Sequence, residues 1–529
     1  MTSDYWGGAS WASSIPKEQR GFYIWSPIAG QGDYNPSTHF TATNCDNDGL
    51  GLNQALSDMA AKNVTELWLL PGTGTTNIVP SGSFLNENGE TVAFQMQPGF
   101  PYNVQAWGGP NTPGATILQA GSRSTAQNLW GFVGGAQTSQ TQKVSIGTRG
   151  QGFQLKSNGN TSLLHLLNLR NPGQYAHESN SSFYVGNMGL NGPDCTSDPL
   201  VMDFNENSPV EGVSITCPSG YSFSHYIGKG MSTYRDCFFG TGQGHVAALL
   251  LTFHHCGMPY GGLTVTDTSG SATIQIQQYG MYGCYLNQTT GGNWFKNTMG
   301  VANNWPKPAI VKADSCRFIL DDGSTARTLI DTPTGGPVIF QANNCVFNST
   351  TAGAHVGTAG TPVIDAGNNL YLSNVASPFA DGLLPIQGPL LYQTPVDSVL
   401  SPSGTAQTTY HMMGLGSSLA FTPRITGRGF CILTGSAKNG TTGYGWNTIL
   451  AYGTGAAPAN AAAASGTTFG SAVSGTSSPG GTLTNFIAFG PFSGLTVGTA
   501  AWIDAQLKAV TGGTATITKV LAWIWEDLV

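Results

Sequence analysis

Residues 234–239, Tyr-Arg-Asp-Cys-Phe-Phe, belong to a segment that recurs five times along this chain. Each copy has one apolar residue three positions before a cysteine and a second apolar residue two positions after it. The two residues directly before the cysteine are mostly polar. Apolar positions on either side of such a pair are typical of a strand, a tight bend and a second strand. The five cysteines are Cys237, Cys256, Cys284, Cys316 and Cys345, at intervals of 19 to 32 residues.

Those intervals match one coil of a solenoid with loops of variable length. The sequence therefore predicts stacked coils in which the thiols point inward as small hydrophobic groups. A cytoplasmic origin would disfavour disulfides between coils. The apolar columns are Tyr234, Phe253, Met281, Ala313 and Ala342 before the cysteines, and Phe239, Met258, Leu286, Phe318 and Phe347 after them.

Composition limits the classes of function. Of 529 residues only 9% are charged, 73 are glycine and the formal net charge is −7, without a basic run that would suit nucleic acid. No apolar stretch reaches the ~18 residues of a membrane helix. The first residues lack a secretory pattern, so synthesis in a cytoplasm is expected. No C-x-x-C pair or His/Asp ligand spacing is present, so neither a metal nor a cofactor is predicted.

The N-terminal region predicts an arm followed by a cap. Residues 1–40 are rich in aromatic and turn-forming residues, which suits either docking to a partner or folding back on the same domain. Leu52, Leu56, Met59 and Ala60 have the spacing of an amphipathic helix. A strand over 65–73 follows directly, so the helix is expected to shield the open edge of the first coil.

Two short motifs in this region carry a resemblance to a known family. The stretch Asp48-Gly-Leu-Gly-Leu-Asn-Gln-Ala-Leu56, followed by Leu69-Leu-Pro-Gly-Thr73, resembles the opening segment of pectate-lyase-like right-handed parallel β-helices. Among such proteins, those made in a cytoplasm without a signal peptide are often phage tailspikes. The resemblance implies a homotrimer located in the virion, in the phage tail.

The C-terminal part has a different pattern. Four prolines between 385 and 402 mark a linker, and beyond it apolar and polar residues alternate in short runs separated by Gly-rich turns. This pattern predicts an antiparallel sandwich. Segments 452–460 and 494–504 resemble a C-terminal module of phage tail proteins and fibres.

The predicted fold is all-β: a right-handed parallel β-helix with a short N-terminal helical cap and a C-terminal antiparallel β-sandwich. The predicted domains are an attachment arm over 1–40, the β-helix with its capping helix over 41–400, and the sandwich, for trimerisation or receptor binding, over 405–529.

Carboxylates are scarce, and this limits the acid/base chemistry that the coils could perform. Glycoside hydrolysis needs two carboxylates about 5–9.5 Å apart, and neighbouring coils ~4.8 Å apart can place them so. Asp203, Glu206 and Glu211 form one cluster, with Asp236 one coil later if Cys217 and Cys237 head successive coils. Asp203, Glu206 and Asp236 are the predicted catalytic residues; the alternative is a role in solubility or turns. A second cluster is Asp314, Asp321, Asp322 and Asp331, in which Asp321-Asp322-Gly323 is most simply a solvated turn.

Four further residues are predicted to bind substrate. His254 and Tyr282 lie in the polar bend column, where His beside Asp is the usual proton-handling pair. Trp294 and Trp305 lie in a long insertion between two coils, and such loops are often functional. The alternatives are a structural ladder of bend residues and loop rings that cover the solenoid's own side.

The resulting hypothesis is a virion tailspike or tail fibre that binds bacterial surface polysaccharide, with other tail or capsid proteins as partners of the N-terminal arm. Whether it also acts as an endo-glycosidase is left open by the sequence. A non-enzymatic adhesin and a purely structural tail or capsid component are the alternatives.

Overall fold

The computed structural model describes 28 segments of the chain. They are residues 16–26, 31–35, 51–70, 76–78, 90–97, 99–106, 117–120, 127–132, 143–147, 153–157, 159–169, 182–203, 208–217, 221–240, 243–258, 263–265, 277–287, 295–297, 309–321, 328–331, 338–352, 354–357, 363–365, 369–373, 390–394, 400–423, 426–477 and 480–527.

The described segments are nearly all strands, with two helices, α1 (Lys17–Arg20) and α2 (Leu52–Lys62). The first strands are β1 (Phe22–Trp25), β2 (Glu66–Leu69), β3 (Thr76–Ile78), β4 (Val92–Met96), β5 (Tyr102–Ala106), β6 (Ile117–Ala120), β7 (Asn128–Phe132), β8 (Lys143–Ile146), β9 (Gln154–Lys156), β10 (His165–Asn168), β11 (Ser182–Gly186), β12 (Gly189–Asn191), β13 (Leu200–Asp203), β14 (Val210–Glu211), β15 (Ser214–Thr216), β16 (Tyr221–Arg235), β17 (Phe238–Phe239), β18 (Gln243–His254), β19 (Gly257–Met258) and β20 (Leu263–Val265).

The later strands are β21 (Gln277–Tyr282), β22 (Tyr285–Asn287), β23 (Phe295–Asn297), β24 (Ala309–Asp314), β25 (Arg317–Ile319), β26 (Thr328–Asp331), β27 (Val338–Asn343), β28 (Val346–Ser349), β29 (His355–Gly357), β30 (Val363–Asp365), β31 (Leu370–Ser373), β32 (Leu390–Gln393), β33 (His411–Met412), β34 (Ala420–Phe421), β35 (Gly429–Asn439), β36 (Gly445–Thr454), β37 (Thr467–Thr476), β38 (Thr484–Phe492), β39 (Ala501–Val510) and β40 (Ala515–Glu526).

The chain divides into two compact units, the first formed by 1–263 and 282–290 and the second by 264–281 and 291–529. In the first unit three ladders of parallel strands build the coils. One ladder is β1-β2-β5-β8-β11-β14-β16-β18, the second is β4-β7-β10-β13-β16, and the third is β3-β6-β9-β12-β15-β17-β19-β22. Because each strand pairs with the equivalent strand of the next coil, this is the predicted parallel β-helix.

The second unit combines the same coil architecture with the C-terminal sandwich. Its parallel ladders are β24-β27-β30, β23-β26-β29 and β25-β28-β31. The sandwich consists of two antiparallel sheets. One is β32-β40-β35-β38, and the other is β39-β36-β37, in which β33 and β34 both pair with β39. Both the β-helix and the predicted antiparallel sandwich are therefore confirmed.

The cysteine repeat has the predicted conformation in both units. Each cysteine follows a residue with positive φ, between 51° and 61°, which ends one strand and redirects the chain into the next. The thiols are buried, and each of the first four donates towards a carbonyl of the preceding coil, as Cys237 does to Val210 at 3.5 Å. The bend residues are Asp236, His255, Gly283, Ser315 and Asn344.

Cys217 does not head a coil, which corrects that part of the sequence alignment. The register pairs Ser214 with Phe238, so the residue equivalent to Cys237 is Val213, and the positive-φ bend before it is Gly212. Val213 is buried like the cysteines. The inward position therefore needs a small apolar side chain, which need not be a thiol. Alignment on cysteines alone assigns the bend of this coil to the wrong residue.

Helix α2 caps the first coils through Asn53. Its side-chain amide donates to the Ala93 carbonyl at 2.8 Å and accepts from the Gln95 N–H at 3.0 Å, so it bonds the backbone of β4 as a neighbouring strand would. Leu52, Leu56 and Met59 are buried beneath the helix. The described part of the N-terminal arm folds back, because β1 pairs in parallel with β2.

Two buried carboxylates hold the loops of the sandwich. Asp504 accepts backbone N–H groups of Gly414 and Leu415, both at 3.0 Å. Glu526 accepts those of Thr426 and Gly427 at 2.7 and 3.2 Å. Within the second unit, the outer face of the β35–β40 sheet packs on the coils through an apolar cluster of Ile310, Ile339, Phe430, Ile432, Ile487, Phe489, Leu521, Trp523 and Trp525.

Candidate functional site

The candidate site is a strip of bend residues on four successive coils of the first unit. Glu211 pairs with Arg235 and Arg235 with His254 in the parallel register, and the His255 N–H donates to the Tyr282 carbonyl at 2.9 Å. The strand-bend-strand geometry turns these side chains outward while the flanking apolar residues enter the core. We call this set the bend strip: Glu211, Arg235, Asp236, His254, His255 and Tyr282.

Two pairs of polar side chains lie close together in the bend strip. Arg235 Nη1 lies 3.6 Å from Glu211 Oε1, and His255 Nδ1 lies 3.5 Å from Asp236 Oδ1. All four side chains are well exposed, between 39% and 71%, so these contacts contribute little to stability. They leave the polar atoms accessible to a ligand.

Tyr184 extends the strip by one coil. Its hydroxyl donates to Glu211 Oε2 at 2.9 Å, and its ring lies across Gly186, where a Cβ would clash with it. Burial, together with this bond to the carboxylate, raises the pKa of Tyr184 to about 12. The hydroxyl therefore stays a proton donor and fixes one oxygen of Glu211.

The aromatic members are stacked. The rings of His254 and Tyr282 lie 4.8 Å apart at an interplanar angle of 20°. On the neighbouring column His255 leans over Gly283, since a Cβ there would come within 2.7 Å of its Cδ2 atom. The result is a continuous surface of ring faces and hydrogen-bonding groups along the axis in which the coils stack.

Two more exposed rings lie directly beside the strip, one residue beyond the cysteines. Phe238 is 49% exposed and Tyr285 is 39% exposed, while Gly257 occupies the same position on the coil between them. We call these three residues the aromatic shelf. Neither the shelf nor Arg235 was predicted from the sequence. The signal for the shelf was the position after each repeat cysteine, which faces outward by strand alternation.

The structure brings some of the predicted site residues together and separates others. Asp236, His254 and Tyr282 share the bend strip, and Glu211 joins them one coil before Asp236. Asp203 is the last residue of β13. Its backbone pairs with Tyr226 of β16, which precedes Asp236 by ten residues. It therefore lies on a different ladder from the strip. Glu206, Trp294 and Trp305 lie outside the described residues, so their predicted roles stay predictions.

The second acidic cluster is engaged in the fold of the second unit. Asp321 is buried and accepts hydrogen bonds from the backbone N–H and the hydroxyl of Thr350. Hydrogen bonds from Ser315 and Asn343 lower the pKa of Asp314. Both carboxylates hold neighbouring residues in place, but the burial of Asp321 does not fit the predicted solvated turn. Asp322 and the side chain of Asp331 lie outside the part of the chain that the structure describes.

The described part of the chain lacks two kinds of feature. It contains no group of three or more His, Cys, Asp or Glu side chains that could hold a metal ion. Neither of its helices is long and apolar enough to cross a membrane.

No protein-family model and no curated protein matches this sequence. Solved structures do match. The enzymatically active domain of tailspike protein 4 from bacteriophage CBA120 is 10% identical, with a TM-score of 0.28, over 89% of this chain and 65% of that one. This chain therefore spans less than two thirds of that structure's length.

Two other matches have similar values. Tailspike protein gp49 from the Acinetobacter baumannii bacteriophage Fri1, a capsular polysaccharide depolymerase, is 11% identical with a TM-score of 0.25, over 83% of this chain and 80% of that one. Pantoea stewartii WceF, a glycan biofilm modifying enzyme with a tailspike-like parallel β-helix, is 10% identical with a TM-score of 0.25, over 88% and 59%. The chain is similar to phage tailspikes. The fold itself follows from the strand ladders.

Proposed function

We propose that this protein is a phage tailspike or tail fibre that attaches to bacterial surface polysaccharide through the bend strip. The observation that carries the proposal is the His254–Tyr282 stack, in which the exposed ring of Tyr282 lies within a row of hydrogen-bonding side chains. The sequence resemblance over Asp48–Thr73 supports the assignment to a phage tail.

The strip has the chemistry that a sugar chain requires. Sugars offer many hydroxyl groups and flat C–H faces, so a binding surface needs polar groups at fixed positions together with ring faces. The carboxylates of Glu211 and Asp236 accept hydrogen bonds, the guanidinium of Arg235 donates them, and Tyr282 supplies a ring that is 37% exposed. Because the strip crosses four coils, it offers a linear ligand several contacts in a row.

Hydrolysis of the bound glycan is the finer form of this proposal. Glu211 and Asp236 lie on neighbouring coils and one position apart, which puts their Cα atoms about 6 Å from each other. One carboxyl group would protonate the glycosidic oxygen as its bond to the anomeric carbon breaks. The other would take a proton from the water that adds to that carbon.

The proposed assembly is a homotrimer in the virion, made in the host cytoplasm. Its N-terminal arm, residues 1–40, would dock to another tail or capsid protein. Mass measurement of the purified protein tests the trimer. Deletion of residues 1–15, followed by pull-down with recombinant tail and capsid proteins, tests the docking.

The attachment test uses fluorescently labelled full-length protein and a panel of bacterial strains. We expect binding to at least one strain, abolished by periodate oxidation of its surface glycans and strongly reduced in His254→Ala and Tyr282→Ala. Tyr444→Ala is the matched control, because Tyr444 is equally exposed but lies in the sandwich. Binding that survives periodate, or that both strip variants retain, would contradict the proposal.

The same glycan, once extracted, decides between an enzyme and an adhesin. New reducing ends that appear with the wild type and vanish in Glu211→Gln and Asp236→Asn, with binding retained, would support hydrolysis. Retained binding without new reducing ends would leave an adhesin.

A further inference from the structure

The exposed aromatic side chains of the described residues are concentrated at one place. Among the Phe, Tyr and Trp side chains whose burial the structure describes, four are exposed: Phe238, Tyr282, Tyr285 and Tyr444. Three of them lie on coils of the first unit that are at most two apart. Single exposed apolar groups are normal on a protein surface, but a cluster of aromatic rings marks a binding surface.

Glycines keep the shelf open around Phe238. A Cβ at Gly257 would lie 3.0 Å from Cδ2 of Phe238, and one at Gly240 would lie 3.5 Å from its Cε1 atom. The ring therefore lies along the sheet surface between two positions that carry no side chain. Any larger residue at Gly257 would lift or cover the ring, so the exposed face depends on this glycine.

Charge decides which ligand suits the shelf. Nothing on the shelf itself is charged, and in the adjoining strip Arg235 is within ion-pair distance of Glu211. Asp236 and Glu211 further lower the local potential. A carboxylate on the ligand would meet a paired cation and two anions, which disfavours uronic acids and sialic acids. An uncharged sugar meets no such penalty.

We propose that the aromatic shelf is a separate subsite for an uncharged hexopyranose unit, whose C–H face stacks on Phe238 and Tyr285 while its hydroxyls reach the bend strip. This deepens the proposed function and rests on it, since it names the sugar class of the same site. Phe238 is the main contact, and Gly257 determines specificity because it holds the ring accessible.

The test is affinity electrophoresis of the full-length protein in gels that contain one polysaccharide each. Dextran, mannan and galactomannan are the neutral probes, and polygalacturonate and hyaluronate are the acidic probes. We expect retardation by at least one neutral polymer and by neither acidic one. Phe238→Ala should raise the dissociation constant about tenfold. Gly257→Ala should give a smaller loss.

Leu370→Ala is the matched control. Leu370 occupies the same position after the bend on β31 and is 51% exposed, but it lies in the second unit. Circular dichroism confirms that each variant is folded, and a Phe238→Tyr variant, which keeps the ring, should restore binding if the alanine variant is unstable.

Three outcomes would overturn the shelf proposal: retardation by acidic polymers alone, no retardation by any neutral polymer, or unchanged retardation of Phe238→Ala. Each leaves the proposed function standing if the labelled protein still binds bacterial glycan and loses that binding in Tyr282→Ala. Conversely, absence of glycan-dependent binding to cells contradicts the proposed function without reference to the shelf variants.

Discussion

The imidazole of His254 stacks on the phenol ring of Tyr282, with ring centroids 4.8 Å apart. The two residues come from successive coils, and the stack exists because a parallel ladder places equivalent positions of neighbouring coils at the strand spacing. The ring face that Tyr282 leaves open is thereby held in a fixed orientation.

The first prediction separates the ring of Tyr282 from its hydroxyl. We expect Tyr282→Phe to bind the extracted glycan nearly as well as the wild type, and Tyr282→Leu to bind it about tenfold more weakly, because the ring face carries the contact. Isothermal titration calorimetry measures both, with Tyr444→Leu as the control. Equal losses in the two variants would assign the contact to the hydroxyl instead.

The second prediction concerns the thiols. Hydrogen bonding with Cys237 and Cys284, together with burial, raises the pKa of Cys256, and burial raises that of Cys431. We expect the eight described cysteines, all buried and none in a disulfide, to resist Ellman's reagent in native protein and to react completely in guanidinium. The protein for this test carries Cys45→Ser, because Cys45 lies outside the described residues. Rapid release of thionitrobenzoate before unfolding would show that the coils open.

The third prediction tests the bends. Asn344 has a φ of 51°, a conformation that disfavours branched side chains. We expect Asn344→Val to lower the free energy of unfolding by about 1–2 kcal/mol and Asn344→Gly to be close to neutral. Asn348→Val is the control, since Asn348 lies in extended strand β28, where valine is favoured. Guanidinium unfolding measures all three, and an equal cost for the two valine variants would refute a conformational origin.

The fourth prediction concerns pH and Asp504. Burial raises the pKa of this carboxyl to about 6, despite the N–H groups that it accepts, so the protonated form is favoured in the folded state. Its contribution to stability is therefore complete below the unfolded pKa of 3.8 and is lost as the pH rises through about 6. The shift corresponds to about 3 kcal/mol.

Asp504→Asn removes this titration and leaves that of all other groups. We expect the difference in free energy of unfolding between wild type and variant to shift by about 3 kcal/mol against the wild type between pH 3 and pH 7. Chemical denaturation at four pH values measures it. A difference that stays constant over this range would show that Asp504 does not titrate there.

Particular residues show where sequence analysis reached its limit. The runs of alternating apolar residues beyond the prolines predicted strands of a sandwich, and β35, β36, β38, β39 and β40 form there. Strand β37 was not predicted, because its small and largely exposed side chains, among them Ser471, Ala472 and Ser474, carry no alternation and resemble a Gly-rich linker. Its place in the sheet comes from antiparallel pairing with β36.

The candidate site shows the same limit. Asp236, His254 and Tyr282 were predicted as one column because each belongs to the pair of residues directly before its cysteine. The place of Glu211 beside Arg235 was not, because the coil of Glu211 carries Val213 at the cysteine position.

The sequence by itself determined the inside of the coils. An inward column must be apolar and small at each bend, so the requirement repeats in every copy and can be recognised from spacing alone. Only the tertiary structure decided the outside. Loops of different length separate the coils, and exposed positions are under no common packing constraint. Parallel pairing places Phe238, Gly257 and Tyr285 on one surface and brings Glu211 next to Arg235. The register between coils, and not the distance along the chain, decides which residues are neighbours.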